Sequence, residues 1–213
     1  MAELLLDEQS APSAPSSGTS LLFPHNYATL KQWALINSDG RVFMLPGIKN
    51  WNTADVVANA ADTYLTGSAL AVPAHGLQVG TTFKWRMFFS KTAAGTVAPI
   101  WRVRIGTLGT TGDAAILTFT GVAQTAAVDN AFVEITAILR STGAAWVLAG
   151  GLSLQKAAVT AVGITNTVGG LVLQNTSAGF NTTTAGLIVG VTVNPGTAGV
   201  WTHQLVKAEM LNI

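Results

Sequence analysis

The sequence predicts an all-β protein: an antiparallel jelly-roll-like sandwich, preceded by an extended arm and a small β-hairpin module. Three observations carry this. Short apolar or alternating runs recur from about Asp62 to the C-terminus, separated by clusters of Gly, Pro, Asn, Ser and Thr. No segment sustains a helical or heptad period. Finally, only 10% of the 213 residues are charged, against about 25% in ordinary soluble proteins, while Thr, Gly and Ala are abundant.

Residues 1–20 form the arm. The stretch "APSAPSSGTS" at 11–20 has no side chain able to build a core, so it cannot offset the entropy of ordering its backbone. It is expected to lie along another surface, with Leu4, Leu5 and Leu6 as an apolar anchor near its tip. Residues 21–60 read as a small module. In "LKQWALINSDGRVFMLPG", Trp33 to Ile36 is strand-prone, "NSDG" supplies turn chemistry at Gly40, Arg41 to Leu45 returns, and Pro46–Gly47 ends the hairpin. A lone hairpin is marginal in water, so it must pack on something. Beyond it, Asn52 or Thr53 is placed to cap a short helix through Ala54–Ala61, against which Val56 and Val57 argue; a connecting segment is the other reading.

From 61 to 213 strands are expected near 63–66, 81–89, 100–106, 115–120, 131–140, 145–154, 157–164, 169–174, 185–193 and 200–211. "FVEITAILR" alternates cleanly, with Val133, Ile135, Ala137 and Leu139 on one face. Many short strands of this kind indicate a sandwich, the jelly roll foremost. Between Lys156 and Lys207 there is no Asp, Glu, Lys or Arg. Surface strands normally carry charge against edge association, so this span is expected to be buried between subunits of a closed homo-oligomer.

The composition also limits function. A formal net charge of +1 gives no electrostatic case for nucleic acid. Cysteine is absent, which removes disulfides and thiolate metal sites. "MAELLLDEQS" lacks the basic region and longer apolar core of a signal peptide, and no apolar run is long enough for membrane insertion. The three histidines, His25, His75 and His203, lie far apart with no metal-ligand spacing, so neither metal nor cofactor is expected. There is no G-x-S-x-G elbow, and the glycine-rich "GTLGTTGD" lacks the Lys and helix of a phosphate loop. Asp39, Asp55, Asp62, Asp113, Asp129, Glu134 and Glu209 form no motif pair, although glycosidase carboxylates pair in space rather than in sequence. No catalytic residue is assigned, and a hydrolase is disfavoured.

One constellation has ionic content. "FKWRMFF" puts Lys84 and Arg86 on one face of a strand, and "IWRVRIG" does the same with Arg102 and Arg104. If the two strands pair as a hairpin about Ala94–Gly95, like charges oppose and need neutralising, for example by Glu134 or by a partner's acids. The alternative places them in different sheets. Together the four cations suggest an ionic docking face; a solvated basic face is the plainer reading. Trp85 and Trp101 have the opposite parity, which fits core packing better than the sugar-stacking platform that six tryptophans would permit.

The segment "APSAPSSGTSLLF…LKQWALINSDGRVFMLPG" resembles the anchoring start of tailed-phage fibre and accessory virion proteins: a Pro/Ser/Gly lead, an aliphatic strand, then a hairpin with a "DG" turn. "YLTGSALAVPAHGLQVGTTFKWRMFFSKTAAGTVAPIWRVRIGT" and "AFVEITAILRSTGAAWVLAGGLSLQ" resemble the jelly-roll domain of phage structural proteins. The resemblance implies a non-enzymatic virion protein and a homotrimer, attached to capsid or tail proteins through Leu4, Leu5, Leu6, Pro12, Pro15, Leu21, Leu22 and Phe23. Two functions follow. One is a capsid decoration or head-fibre protein, favoured because the link from Gly47 to Ala61 is short and keeps the sandwich near the particle. The other is a tail fibre that binds host-surface glycans.

Overall fold

A computed structural model of the chain describes residues 20–27, 30–37, 42–45, 48–58, 60–73, 76–141, 144–181, 183–197 and 200–212, with side chains at Ile36 and from Ile48 onward. The described residues form strands, turns and bends, with no helix. In chain order the strands are β1 (Ser20–Tyr27), β2 (Leu30–Asn37), β3 (Val42–Leu45), β4 (Ile48–Asn52), β5 (Val56–Val57), β6 (Thr63–Tyr64), β7 (Leu70–Ala71), β8 (Thr82–Lys91), β9 (Ile100–Gly106), β10 (Ala114–Thr120), β11 (Asp129–Leu139), β12 (Leu148–Lys156), β13 (Leu171–Thr176), β14 (Ile188–Asn194) and β15 (Trp201–Leu211).

The strands make three antiparallel sheets. The first, β1–β2–β3, enlarges the expected hairpin. Trp33 pairs with Leu45 and Ile36 with Val42, and β1 adds a third strand that pairs Ser20 with Asn37 and Tyr27 with Leu30. The turn residues 38–40 and Pro46–Gly47 lie outside the described residues, as do residues 1–19. The other two sheets make the sandwich: seven strands with the path β13–β12–β11–β8–β15–β4, and five with the path β10–β9–β14–β6. β8 pairs with β15, and within that pair the chain nests β9 with β14, the wrapped pairing that gives the jelly-roll character.

Alternation builds the core. In β8 the buried residues are Phe83, Trp85, Met87 and Phe89, and in β11 Val133, Ile135, Ala137 and Leu139. The five-stranded sheet answers with Trp101, Val103, Ile105, Leu117 and Phe119. Aromatic rings join the two sheets, with Trp101 and Trp201 at 5.5 Å between centroids and Trp201 on Phe89 at 4.3 Å. Two of the buried indole N–H groups are satisfied, Trp85 donating to the Ser68 carbonyl and Trp201 to Gln124, both at 2.8 Å, whereas those of Trp101 and Trp146 are buried without a partner among the described residues.

Three expectations need correction. Residues 54–61 hold no described helix: the β-branched Val56 and Val57 pair with His203 and Thr202 instead. Asn52 closes a local turn with Ala54 rather than capping a helix. With β4 also on β15, residues 48–57 join the seven-stranded sheet rather than the hairpin. Residues 157–164 are not a strand, because their backbone groups are taken by side chains, as described below.

Candidate interaction surfaces

Strand pairing places an ionic belt on the outer face of the seven-stranded sheet. Across one row run Ser153, Glu134, Arg86, Lys207 and Trp51; across the next, Gly151, Thr136, Lys84, Glu209 and Lys49. Glu134 receives Arg86 at 2.8 Å and lies 4.0 Å from Lys84; Glu209 lies 3.1 Å from Lys207 and 3.9 Å from Lys49. Two carboxylates therefore sit among four cations. Burial pushes the Glu209 carboxyl up, but Lys207, Lys49 and Arg86 outweigh it and hold it below its ordinary range. The hydrogen bond it donates to Glu134 holds the Arg86 guanidinium more firmly protonated. Phe88 and Phe132 pack at 4.9 Å beside the belt, and Phe88 is opposite Leu205.

Arg102 and Arg104 lie on the other sheet, so the four cations of "FKWRMFF" and "IWRVRIG" do not form one face. Both donate to Asp62, and Arg104 also donates to the Asp113 carbonyl at 2.5 Å and to Thr192 at 3.1 Å. Next to them the Tyr64 ring lies over Gly190, where a Cβ would come within 1.9 Å of the phenolic oxygen. Burial pushes the Tyr64 hydroxyl up to about 12, with the Asp113 carboxylate adding to it and Arg104 opposing.

The most unusual surface is one end of the sandwich. Antiparallel alternation brings four connections together there: 92–99 (β8 to β9), 121–128 (β10 to β11), 157–170 (β12 to β13) and the described residues 195–197 and 200 between β14 and β15. None contains Asp, Glu, Lys, Arg or His. Backbone bonds knit them: Thr92 donates to Val200, Gln124 to Thr96, Thr125 to Gly163 and Asn166 to Ala123. The Gln124 side chain ties Val97 to Pro195.

Three flanking ions complete this end, and all are turned inward. The Lys91 ammonium, almost fully buried, donates to the carbonyls of Thr92, Ala94, Thr125 and Ala127 at 2.7–3.2 Å. Burial pushes it below the ordinary lysine range, opposed by Asp129. Lys156 reaches the carbonyls of Thr160, Val162, Thr165 and Thr167, also at 2.7–3.2 Å. Asp129 accepts from the backbone N–H groups of Asn130, Ala158 and Ile164. Gly163 is required where the loop crosses Asp129: its φ is +86°, and a Cβ would lie 2.3 Å from the carboxylate. With charge consumed inside, valines remain outside: Val97, Val128, Val159, Val162 and Val168 are 54, 70, 84, 40 and 75% exposed.

Of the residues that sequence singled out, Leu4, Leu5, Leu6, Pro12 and Pro15 lie outside the described residues. Leu21, Leu22 and Phe23 fall in β1. Trp85, Trp101 and Trp201 are fully buried and Trp146 nearly so, whereas Trp51 is 56% exposed at the edge of the ionic belt. His203 is a core residue, stacked on Phe89 at 5.2 Å; His75 lies outside the described residues. Among the described residues, no group of three or more His, Cys, Asp or Glu is arranged to hold a metal ion. The charge-free span 157–206 proves heterogeneous. β14 runs between β9 and the short strands β6 and β7 and is buried along most of its length, so its lack of charge reflects the core. The loop 157–170 is surface, as are most of β13 and of the segment that follows it. Sequence reasoning missed the loop's partners 92–99 and 121–128, whose lack of charge is visible in the sequence but whose convergence needs the strand order.

No family model matches this chain, and no curated protein matches it. Among solved structures, a chain from "Structure of infectious bursal disease virus Gx strain" is similar at 12% identity and a TM-score of 0.20, over 89% of this chain and 46% of that chain. This chain thus spans less than half of that chain's length, and a likeness at this TM-score carries no argument.

Proposed function

We propose that this chain is a non-enzymatic virion structural protein of a tailed phage, a capsid decoration or head-fibre protein. It docks on the particle through its N-terminal segment and oligomerises through its β domain. The observation that carries the reading is the sheet β1–β2–β3. Among the described residues it pairs with no strand of the sandwich, as suits a segment that holds to a different surface. The sequence resemblance of the same segment to virion anchors points the same way. In this reading the belt and the loop end belong to the outward body, and multivalent attachment raises avidity over that of one arm.

Copy number on purified particles tests this. Hundreds of copies per virion are expected for decoration; a few tens or fewer would move the protein to a tail or vertex. Removing residues 1–20 should abolish co-sedimentation with particles, and retained binding would sink the docking role. The exposed Trp51 beside Lys207 favours a second reading, a tail fibre whose tryptophan stacks on a host glycan. Specific hits on a glycan array, lost in Trp51→Ala, would favour it.

A further inference from the structure

We propose that the four-loop end of the sandwich is a self-association surface, and that its occupant is the same loop end of a neighbouring copy of this chain. The inference deepens the assembly part of the reading above and rests on it for the expectation of an oligomer.

Charge and size select the occupant. A partner presenting ordinary surface brings charged side chains, and each one covered here would lose water without gaining an opposite charge, because the loops offer none. The ions nearest to hand, Lys91, Asp129 and Lys156, have their bonding capacity committed to backbone groups of these loops. The partner must therefore be as poor in charge as this end is. Elsewhere the described surface offers the charged belt on one sheet, the charged Arg102–Arg104–Asp62 cluster on the other, and an uncharged strip along β12 and β13 around Ile138 and Val172. The loop end itself meets the requirement, and contact between equivalent loops about a symmetry axis satisfies it for both copies at once. The four loops also supply the number of residues that a standard interface uses, roughly 20–30 a side. The exposed valines provide the apolar centre, and the Thr and Asn residues among them the polar rim.

The full chain, measured by light scattering after gel filtration and by analytical ultracentrifugation, tests it. The wild type is expected to be an oligomer. The double variant Val159→Asp, Val168→Asp puts two charges at positions that are 84 and 75% exposed, so folding is not disturbed. It should run as a folded monomer whose circular dichroism matches that of the wild type, with a thermal midpoint lowered only by the lost association. Leu108→Asp, 64% exposed in the connection between β9 and β10 at the opposite end, should leave the oligomer intact. A wild-type monomer across the concentration range overturns the proposal, as does an oligomer that survives the double Asp variant. Equal dissociation by Leu108→Asp would also overturn it. Particle copy number is read separately, so a failed loop interface with normal copy number leaves the virion reading standing, and the reverse also holds.

Discussion

At the scale of single residues, the fold controls the charge of His203 most tightly. Its ring is enclosed between Phe89 and Trp201, and burial lowers its pKa from 6.5 to about 4, opposed by the Val56 backbone. The folded state therefore keeps the ring neutral where the unfolded chain binds a proton. Stability from this residue is complete above pH 6.5 and is lost as pH falls towards 4, by about 3 kcal/mol in total. His203→Phe keeps the stacking and removes the titration, so denaturant unfolding from pH 7 to pH 4 should show a flatter decline than the wild type. An identical slope would mean that carboxylates alone set it. Lys91 makes a second residue-scale case. Lys91→Met fills the space but takes the ammonium from four carbonyls, of which Thr125 keeps the Ala127 amide, and unfolding experiments should show a loss of about 2–4 kcal/mol.

At the scale of elements, Gly190 governs how β6 sits on β14. Thr192 pairs with Tyr64, and the phenol occupies the space above Gly190. Gly190→Ala should displace the ring and cost about 1–3 kcal/mol. The chain has two tyrosines, Tyr27 and Tyr64, so phenolate absorbance can follow the change. Freed from burial, the Tyr64 hydroxyl should titrate closer to 10 than to 12. Most strands were legible because alternation reports one buried face, as in β8 and β11. The failures have physical causes. Residues 157–164 contain β-branched side chains, yet the carbonyls of Thr160 and Val162 go to Lys156 and the amides of Ala158, Gly163 and Ile164 to the Asp129 and Thr125 side chains, which breaks any continuous ladder with a neighbouring strand. β4, β5 and β7 are too short for periodicity to register.

At the scale of the whole molecule, charge is segregated: two outer sheet faces carry ion pairs, and one end carries none. Association through that end should not depend on ionic strength. Oligomer mass is expected to be the same in dilute buffer and in high salt, where association through the belt would weaken. Dissociation on adding salt would assign the contact to Lys84, Arg86 and their neighbours. How much of this was readable in advance differs by feature. Glu134 was legible only as one neutraliser of a hairpin between the two basic strands; it meets Arg86 because β11, and not β9, is the neighbour of β8. The separation of Arg86 from Arg102 was left open, because parity says which face a residue takes and not which sheet. The loop end was half legible: a long uncharged run stood out, but only the strand order divides it into core and surface and adds the two distant loops.

Lys91 and Lys156 each do, on a covalent tether, what a calcium ion does in many surface loops: one positive centre gathers carbonyls from several turns of chain. A tethered cation cannot be diluted away or stripped by a chelator. The shape of this end should therefore survive EDTA and calcium-poor media unchanged, and it is set as soon as the chain folds rather than when a mineral ion becomes available.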